Sequence, residues 1–267
     1  MTSPGSKHSF IDTHAHLDDE SFEGEIDAIV ARAKAVGVDR IVNIGYRPAR
    51  WRTTLALAQK HPQIRFTVGL HPNHADEDAE PLWTELRRLI NETRPIAIGE
   101  IGLDYYRDYA SKATQLRVFD RQLALADEMK LPVVIHQRDA EDDLFGFLRQ
   151  RTGGVPWILH SFDGSERLAD EALATGCYLG VGGLMTRAGS AALRAILKDA
   201  PLDRLMLETD SPYLVPRGVK NRRNEPANIP LIAEALAVFR GAPLEEIALQ
   251  TTANAERVFE LQTLAVA

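Results

Sequence analysis

Six side chains of the kinds that bind divalent metals stand at the ends of apolar runs spread along the chain. They are His14 and His16 in Ile11-Asp12-Thr13-His14-Ala15-His16, Glu100 after Ile96-Ala97-Ile98-Gly99, His136 after Val133-Val134-Ile135, His160 after Trp157-Ile158-Leu159, and Asp210 in Leu205-Met206-Leu207-Glu208-Thr209-Asp210. A His-x-His pair alone is a weak signal, and a lone strand-end histidine more often completes a core or a rim. Co-occurrence changes the weighing, because buried Glu and Asp are rare unless paired or bound to a cation. Four imidazoles and two carboxylates brought together would hold metal, with donors enough for two ions.

Such a gathering needs a scaffold whose strand ends converge. Short β-rich runs occur near residues 9–13, 39–45, 64–70, 95–101, 131–136, 155–160, 177–183 and 203–209. Between and after them the pattern predicts helices at about 20–37, 49–60, 80–93, 111–130, 139–151, 165–176, 189–200, 228–240 and 243–260. Leu116, Phe119, Leu123, Ala126 and Met129 form one helical stripe, and Pro62, Pro95, Pro132, Pro156 and Pro201 fall at or before strand starts. Strands alternating with helices predict an α/β parallel sheet. The expected closure is a single TIM-like (β/α)8 barrel, one domain over residues 1–267. An open doubly wound sheet is the alternative, but it would place ligands at one switch point rather than at several strand ends. Strict alternation puts Asp12, His14 and His16 on one face and Ile11 on the other, with Glu208 a layer below Asp210. Asp12 and Glu208 then either orient ligand imidazoles or bond only to neighbouring backbone.

The balance of 45% apolar and 26% charged residues is that of a soluble globular chain. No apolar run approaches the roughly 18 residues of a membrane span, and the polar N-terminus lacks the centre of a secretory signal. Cys177 is the sole cysteine, which excludes a disulfide framework or thiolate zinc cluster and points to a small core residue. A cytoplasmic protein without a membrane partner is expected. The net charge of -7 argues against broad adhesion to nucleic acid. Two divalent ions would nevertheless outweigh Glu100 and Asp210 and leave a locally positive floor.

Seven segments together resemble the ordered motifs of the TatD family, metal-dependent hydrolases and deoxyribonucleases of the amidohydrolase superfamily. They are Thr13-His14-Ala15-His16-Leu17, Gly69-Leu70-His71-Pro72, Gly99-Glu100-Ile101-Gly102-Leu103-Asp104-Tyr105, Ile135-His136-Gln137-Arg138, His160-Ser161-Phe162-Asp163-Gly164, Glu208-Thr209-Asp210-Ser211-Pro212-Tyr213 and Arg223-Asn224-Glu225-Pro226. The resemblance spans essentially the whole chain. It implies a TIM-like barrel, a metal centre active in phosphodiester cleavage, and ligand roles for His14, His16, Glu100, His136, His160 and Asp210. Ser161 and Asp163 depart from the more usual His-Cys-Phe-Ser/Thr-Gly, and Asn73 intervenes before His74, which puts a site role for His74 in doubt.

In the assignment this resemblance implies, His14, His16, Glu100 and Asp210 hold one ion, Glu100, His136 and His160 the other, and Glu100 bridges. The ions are zinc, manganese, magnesium, iron or cobalt, magnesium being the least suited to imidazole. Water held between them is acidified toward a pKa of about 7 and supplies hydroxide. Glu100 and Asp210 are the catalytic residues, Asp210 moving the proton. His71 is expected to contact a substrate phosphate, and Tyr105, with Tyr106 and Arg107 next in the chain, to overhang the site. Arg222 and Arg223, in a basic loop with Arg217 and Lys220, are expected to bind the nucleic-acid backbone. His8 and His61 read as surface residues. The expected substrate is DNA, single-stranded or at its ends, cut as by an exonuclease. Hydrolysis of another ester or amide is the alternative, such as D-aminoacyl-tRNA deacylation, and a catalytically silent metal-binding scaffold is the third reading.

Overall fold

Short apolar runs, each succeeded by an amphipathic stretch, close around a common axis. The computed structural model describes residues 8–107, 109–151 and 153–261. The strands are β1 (Phe10–Ala15), β2 (Val38–Gly45), β3 (Ile64–Val68), β4 (Ala97–Asp104), β5 (Val133–Arg138), β6 (Trp157–Leu159), β7 (Tyr178–Val181) and β8 (Leu205–Leu207). They pair in sequence order, every pair parallel. The segment after β8 returns to β1: the Asp210 N–H donates to the His14 carbonyl at 2.8 Å, and the His16 N–H to the Ser211 carbonyl at 2.7 Å. The sheet is therefore the expected eight-stranded α/β barrel of TIM type, and its seam lies between two predicted ligands.

The helices are α1 (Ile26–Ala35), α2 (Pro48–Lys60), α3 (Glu80–Thr93), α4 (Lys112–Met129), α5 (Glu141–Gln150), α6 (Glu166–Ala174), α7 (Ala191–Asp199), α8 (Ile229–Arg240) and α9 (Leu244–Val258). The helix expected over 20–37 is interrupted: a short 3-10 turn at Glu20–Phe22 precedes α1, with Gly24 between them at φ 75°. Ser111 caps α4 by accepting from the Thr114 N–H, and Ser165 caps α6 by accepting from Leu168. Among the described residues no helix is long and apolar enough to cross a membrane.

Apolar residues divide into two layers. The larger joins the helices to the strand faces that meet them, and includes Ile41, Ile64, Phe66, Ile98 and Ile135. The smaller gathers Ile11, Val42, Ile44, Ala97, Val134, Ile158, Tyr178 and Met206 with Val258, Phe259 and Leu261, at and just beyond the end of α9. That second cluster fills the barrel below the ligands.

Strict alternation fails in two strands. On β5 and β6 the spacing from this inner cluster to the ligand is two residues, Val134 to His136 and Ile158 to His160. On β1 and β4 it is three, Ile11 to His14 and Ala97 to Glu100. The pairing register shifts between Asp12 and Ala15 and between Ile98 and Ile101. A bulge adds one residue to a strand and turns the residues beyond it to the other face. Asp12 thus does not share the face of His14, contrary to the alternation rule. It is buried at the seam, where it accepts from the Thr209 N–H at 2.9 Å and the Thr209 hydroxyl at 2.6 Å.

Two glycines let neighbouring segments of the barrel approach closely. A Cβ on Gly102, at φ 140°, would stand 2.0 Å from the His136 carbonyl oxygen. A Cβ on Gly180 would stand 2.3 Å from the Glu208 carboxylate, which the missing side chain admits to the interior.

Candidate metal centre

Glu100 is the hub. The residue is 4% exposed, and its two carboxylate oxygens face different partners. Oε2 lies 3.5 Å from His14 Nε2 and 3.9 Å from His16 Nε2. Oε1 lies 2.8 Å from His136 Nδ1 and 2.8 Å from His160 Nε2. Asp210 closes the first group, its Oδ1 3.3 Å from His16 Nε2 and 3.8 Å from His14 Nε2. The His14 and His160 rings stack at 3.9 Å between centroids, so the two groups touch. All six sequence-predicted ligands converge.

The donors fit a metal. Three overlapping triads have all their donor atoms within 4.8 Å of one another: His14, His160 and Asp210; His14, His16 and Glu100; His71, Glu100 and His136. Nε2 of His14, the nitrogen that faces Glu100 and Asp210, is buried without a hydrogen-bond partner among the described residues. Buried polar atoms are rarely left so, because each costs its full desolvation. Imidazole with carboxylate is the donor mixture that suits zinc, manganese, iron and cobalt.

A neighbouring carboxylate orients one imidazole, and a second flanks another. Asp104 Oδ2 stands 3.2 Å from His136 Nε2, leaving Nδ1 to the centre, and Oδ1 accepts from the Tyr106 and Arg107 N–H groups. Glu208 Oε1 stands 3.7 Å from His160 Nδ1 and accepts from the Ser161 N–H. Glu208 thus stands beside His160 as an ion-pair partner, and Asp12 bonds to the Thr209 backbone and hydroxyl rather than to an imidazole. Asp104 was not singled out in the sequence, although its position after Glu100 in β4, two pleats on, was the signal for it.

Electrostatics here are set by burial against these pairings. Burial opposes charge on His160, but the Glu100 carboxylate outweighs it and holds the imidazolium well above the ordinary range. His136 is raised by Asp104 and Glu100 against the same burial, and His16 by Asp210. Burial and the His160 charge lower His14. Burial also takes His71 down to about 4. Burial resists ionisation of Glu100 and Asp210, yet surrounding imidazoles keep both below the usual carboxylate range. Burial lifts Asp12 to about 7.

A cavity of about 240 Å³ opens over the ligands, rimmed by Tyr46, Asn73, His74 and Tyr213. His71 lines it, buried, with Nε2 3.5 Å from Glu100 Oε1 and Nδ1 accepting from the Asn73 N–H at 3.1 Å. His74 faces Glu77 at 3.1 Å. Tyr46 and Tyr213 escaped the sequence reading; each comes shortly after a strand end, Gly45 or Leu207, which was the available clue. Tyr105 lies in an adjoining cleft, its hydroxyl donating to Asp143 at 2.7 Å. Arg222 is exposed in the loop after Asp210. The Arg223 guanidinium pairs with Glu25 at 2.8 Å and lies over the Phe22 ring. His61, expected at the surface, is buried with Nε2 3.3 Å from Asp27.

Known proteins are similar to this chain in sequence and in fold. The family model described as TatD related DNase matches residues 11–260. An uncharacterized metal-dependent hydrolase, YabD, of Bacillus subtilis is 36% identical over 251 residues, covering 94% of this chain and 98% of that one. A 3′-5′ ssDNA/RNA exonuclease TatD of Cronobacter sakazakii is 37% identical over 254 residues, covering 93% and 97%. The crystal structure of YJJV, a TatD homolog from Escherichia coli, superposes with a TM-score of 0.88 at 31% identity, over 95% of this chain and 98% of that one. An organophosphorus hydrolase from Deinococcus radiodurans shares the fold alone, with a TM-score of 0.61 at 15% identity. By its motifs, its barrel and these matches, the chain belongs to the TatD family of metal-dependent hydrolases.

Proposed function

We propose that this protein, working as one domain in the cytoplasm, removes nucleotides from the ends of single-stranded nucleic acid at a centre of two divalent ions. The carrying observation is the divided carboxylate of Glu100, with Oε2 toward His14 and His16 and Oε1 toward His136 and His160. A carboxylate divided in this way would be shared by two ions, each held by its own histidines. The names of the relatives support the substrate class, since several are 3′-5′ ssDNA/RNA exonucleases.

Bound there, the ions would bring a water toward a pKa of about 7 and offset charge on the phosphoryl oxygens. Asp210, held ionised by His16, accepts the proton of the attacking water and returns one to the leaving oxygen. His71 is neutral at pH 7, and the Asn73 N–H occupies its Nδ1, which places its own proton on Nε2, toward the centre. It is therefore set to donate to a substrate phosphate oxygen. Arg222 steers the strand from the loop, and Tyr105 walls the neighbouring cleft.

The test uses metal-stripped protein, zinc, manganese, magnesium, iron or cobalt added singly, and end-labelled single-stranded DNA and RNA, duplex DNA and D-aminoacyl-tRNA. Stepwise shortening of single strands is expected. Asp210→Asn should keep its metal and lose at least about a hundredfold in rate. Cleavage of the tRNA ester alone would install the alternative hydrolase, and metal uptake without any turnover would make the protein a binding scaffold.

A further inference from the structure

A cleft of about 620 Å³ adjoins the centre and is unused by the mechanism above. Its walls are the loops that continue from the ligand strands. Tyr105 and Tyr106 come directly after Asp104, Arg138 lies two residues beyond His136, and Asp163 three beyond His160. A group attached to the scissile phosphorus on that side has this cleft to enter.

The lining combines a flat platform with negative charge. The Arg138 guanidinium lies 3.6 Å over the Tyr106 ring, and that ring is 61% exposed. Lys112 lies 4.1 Å over the Tyr105 ring. Against these two cations stand five carboxylates. Asp143 and Glu141 are engaged, accepting from the Tyr105 hydroxyl and from Ser165. Asp139, Asp142 and Asp163 accept no hydrogen bond from the described residues. The opposite side of the mouth differs in sign, its exposed loop carrying Arg217, Lys220 and Arg222.

A cavity of this size, with a stacking surface and free hydrogen-bond acceptors, suits a nucleoside: planar, uncharged, with hydroxyl and amino hydrogens to donate. It does not suit a phosphate, which the carboxylates repel. Resting on the nuclease reading, we propose that this cleft receives the 3′-terminal nucleoside of the strand and excludes a further phosphate beyond it. The cut then falls one nucleotide from a free 3′-hydroxyl, while an end carrying a 3′-phosphate is refused.

The experiment compares metal-loaded enzyme on 5′-labelled single strands that end in a 3′-hydroxyl, a 3′-phosphate or an abasic 3′ residue. Wild type should prefer the 3′-hydroxyl over the 3′-phosphate end by at least about tenfold, as expected for a dianion set among like charges. The double variant Asp142→Asn, Asp163→Asn should shrink that ratio to about threefold or less. Loss of the terminal base should slow wild type by about tenfold and leave Tyr106→Ala indifferent, because base stacking on an aromatic ring is worth that much. Both measurements are ratios within one protein, so a general loss of activity cannot imitate them. Equal digestion of hydroxyl and phosphate ends by wild type, or a ratio untouched by the double variant, overturns the subsite and leaves the nuclease reading standing. No digestion of any single strand overturns the nuclease reading and the subsite with it.

Discussion

Asp104 grips His136 by the ring nitrogen that faces away from the centre, Oδ2 to Nε2 at 3.2 Å, while Nδ1 faces Glu100 at 2.8 Å. The carboxylate fixes both the tilt of the ring and the nitrogen left for a metal. Asp104→Asn keeps the shape and removes the charge. Metal affinity should fall by about 10–100-fold, the usual effect of losing such a partner, in competition with a chromophoric chelator. An unchanged affinity would mean that His136 is oriented by something else.

Glu100→Gln tests the shared carboxylate. An amide offers one oxygen in place of two and cannot serve both histidine groups. Elemental analysis of reconstituted, dialysed protein should show the bound metal dropping from about two equivalents to one or fewer. Two equivalents retained in the variant would separate the ion positions from Glu100.

Protons compete with metal at this centre. His16, His136 and His160 are held above the ordinary value of 6.5, and a coordinating imidazole must be neutral. Apparent metal affinity should therefore tighten from about pH 6 to about pH 8, with proton release visible as a buffer-dependent heat in calorimetry. In the metal-free protein, these raised groups contribute stability that is fully present below about 6.5 and is lost as pH rises through their folded values. His71 has the opposite sign. Between about 6.5 and about 4 the unfolded chain binds a proton there that the fold does not, so its part of the stability is lost as the pH is lowered. Thermal melts of metal-free wild type and His71→Asn across that window should differ in slope. Parallel curves would remove His71 from this role.

The contrast between two glycines tests how closely the Glu208 carboxylate is fitted. Gly180→Ala sets a methyl 2.3 Å from Oε2, forcing the carboxylate off its place near His160. A loss of about 1–3 kcal/mol in urea unfolding is expected, as for other overpacked interiors. Gly146→Ala, in α5 with nothing within 4 Å of the new Cβ, should gain about 0.5–1 kcal/mol instead. Equal effects at both positions would show that Glu208 has room to move.

The barrel was legible because its periods are local. Val133-Val134-Ile135 or Trp157-Ile158-Leu159 announces a buried strand whatever lies elsewhere, and each ligand ends such a run. Features that depended on distant partners were not legible. Nothing near Arg223 in the chain announces its ion pair with Glu25, 198 residues away. His61 looks exposed until α1 brings Asp27 over it. The faces of Asp12 and His14 were misread for another reason: a bulge has no residue signature of its own, and alternation counts straight through it.

Those two irregular steps in β1 and β4 carry a consequence for how the molecule tolerates change. Each lets an oily floor and a chelating cup occupy the same strand out of phase, so either half can drift without disturbing the other. Dropping one residue at either step would exchange their places, turning the donors outward toward the helices and greasing the throat where water must react.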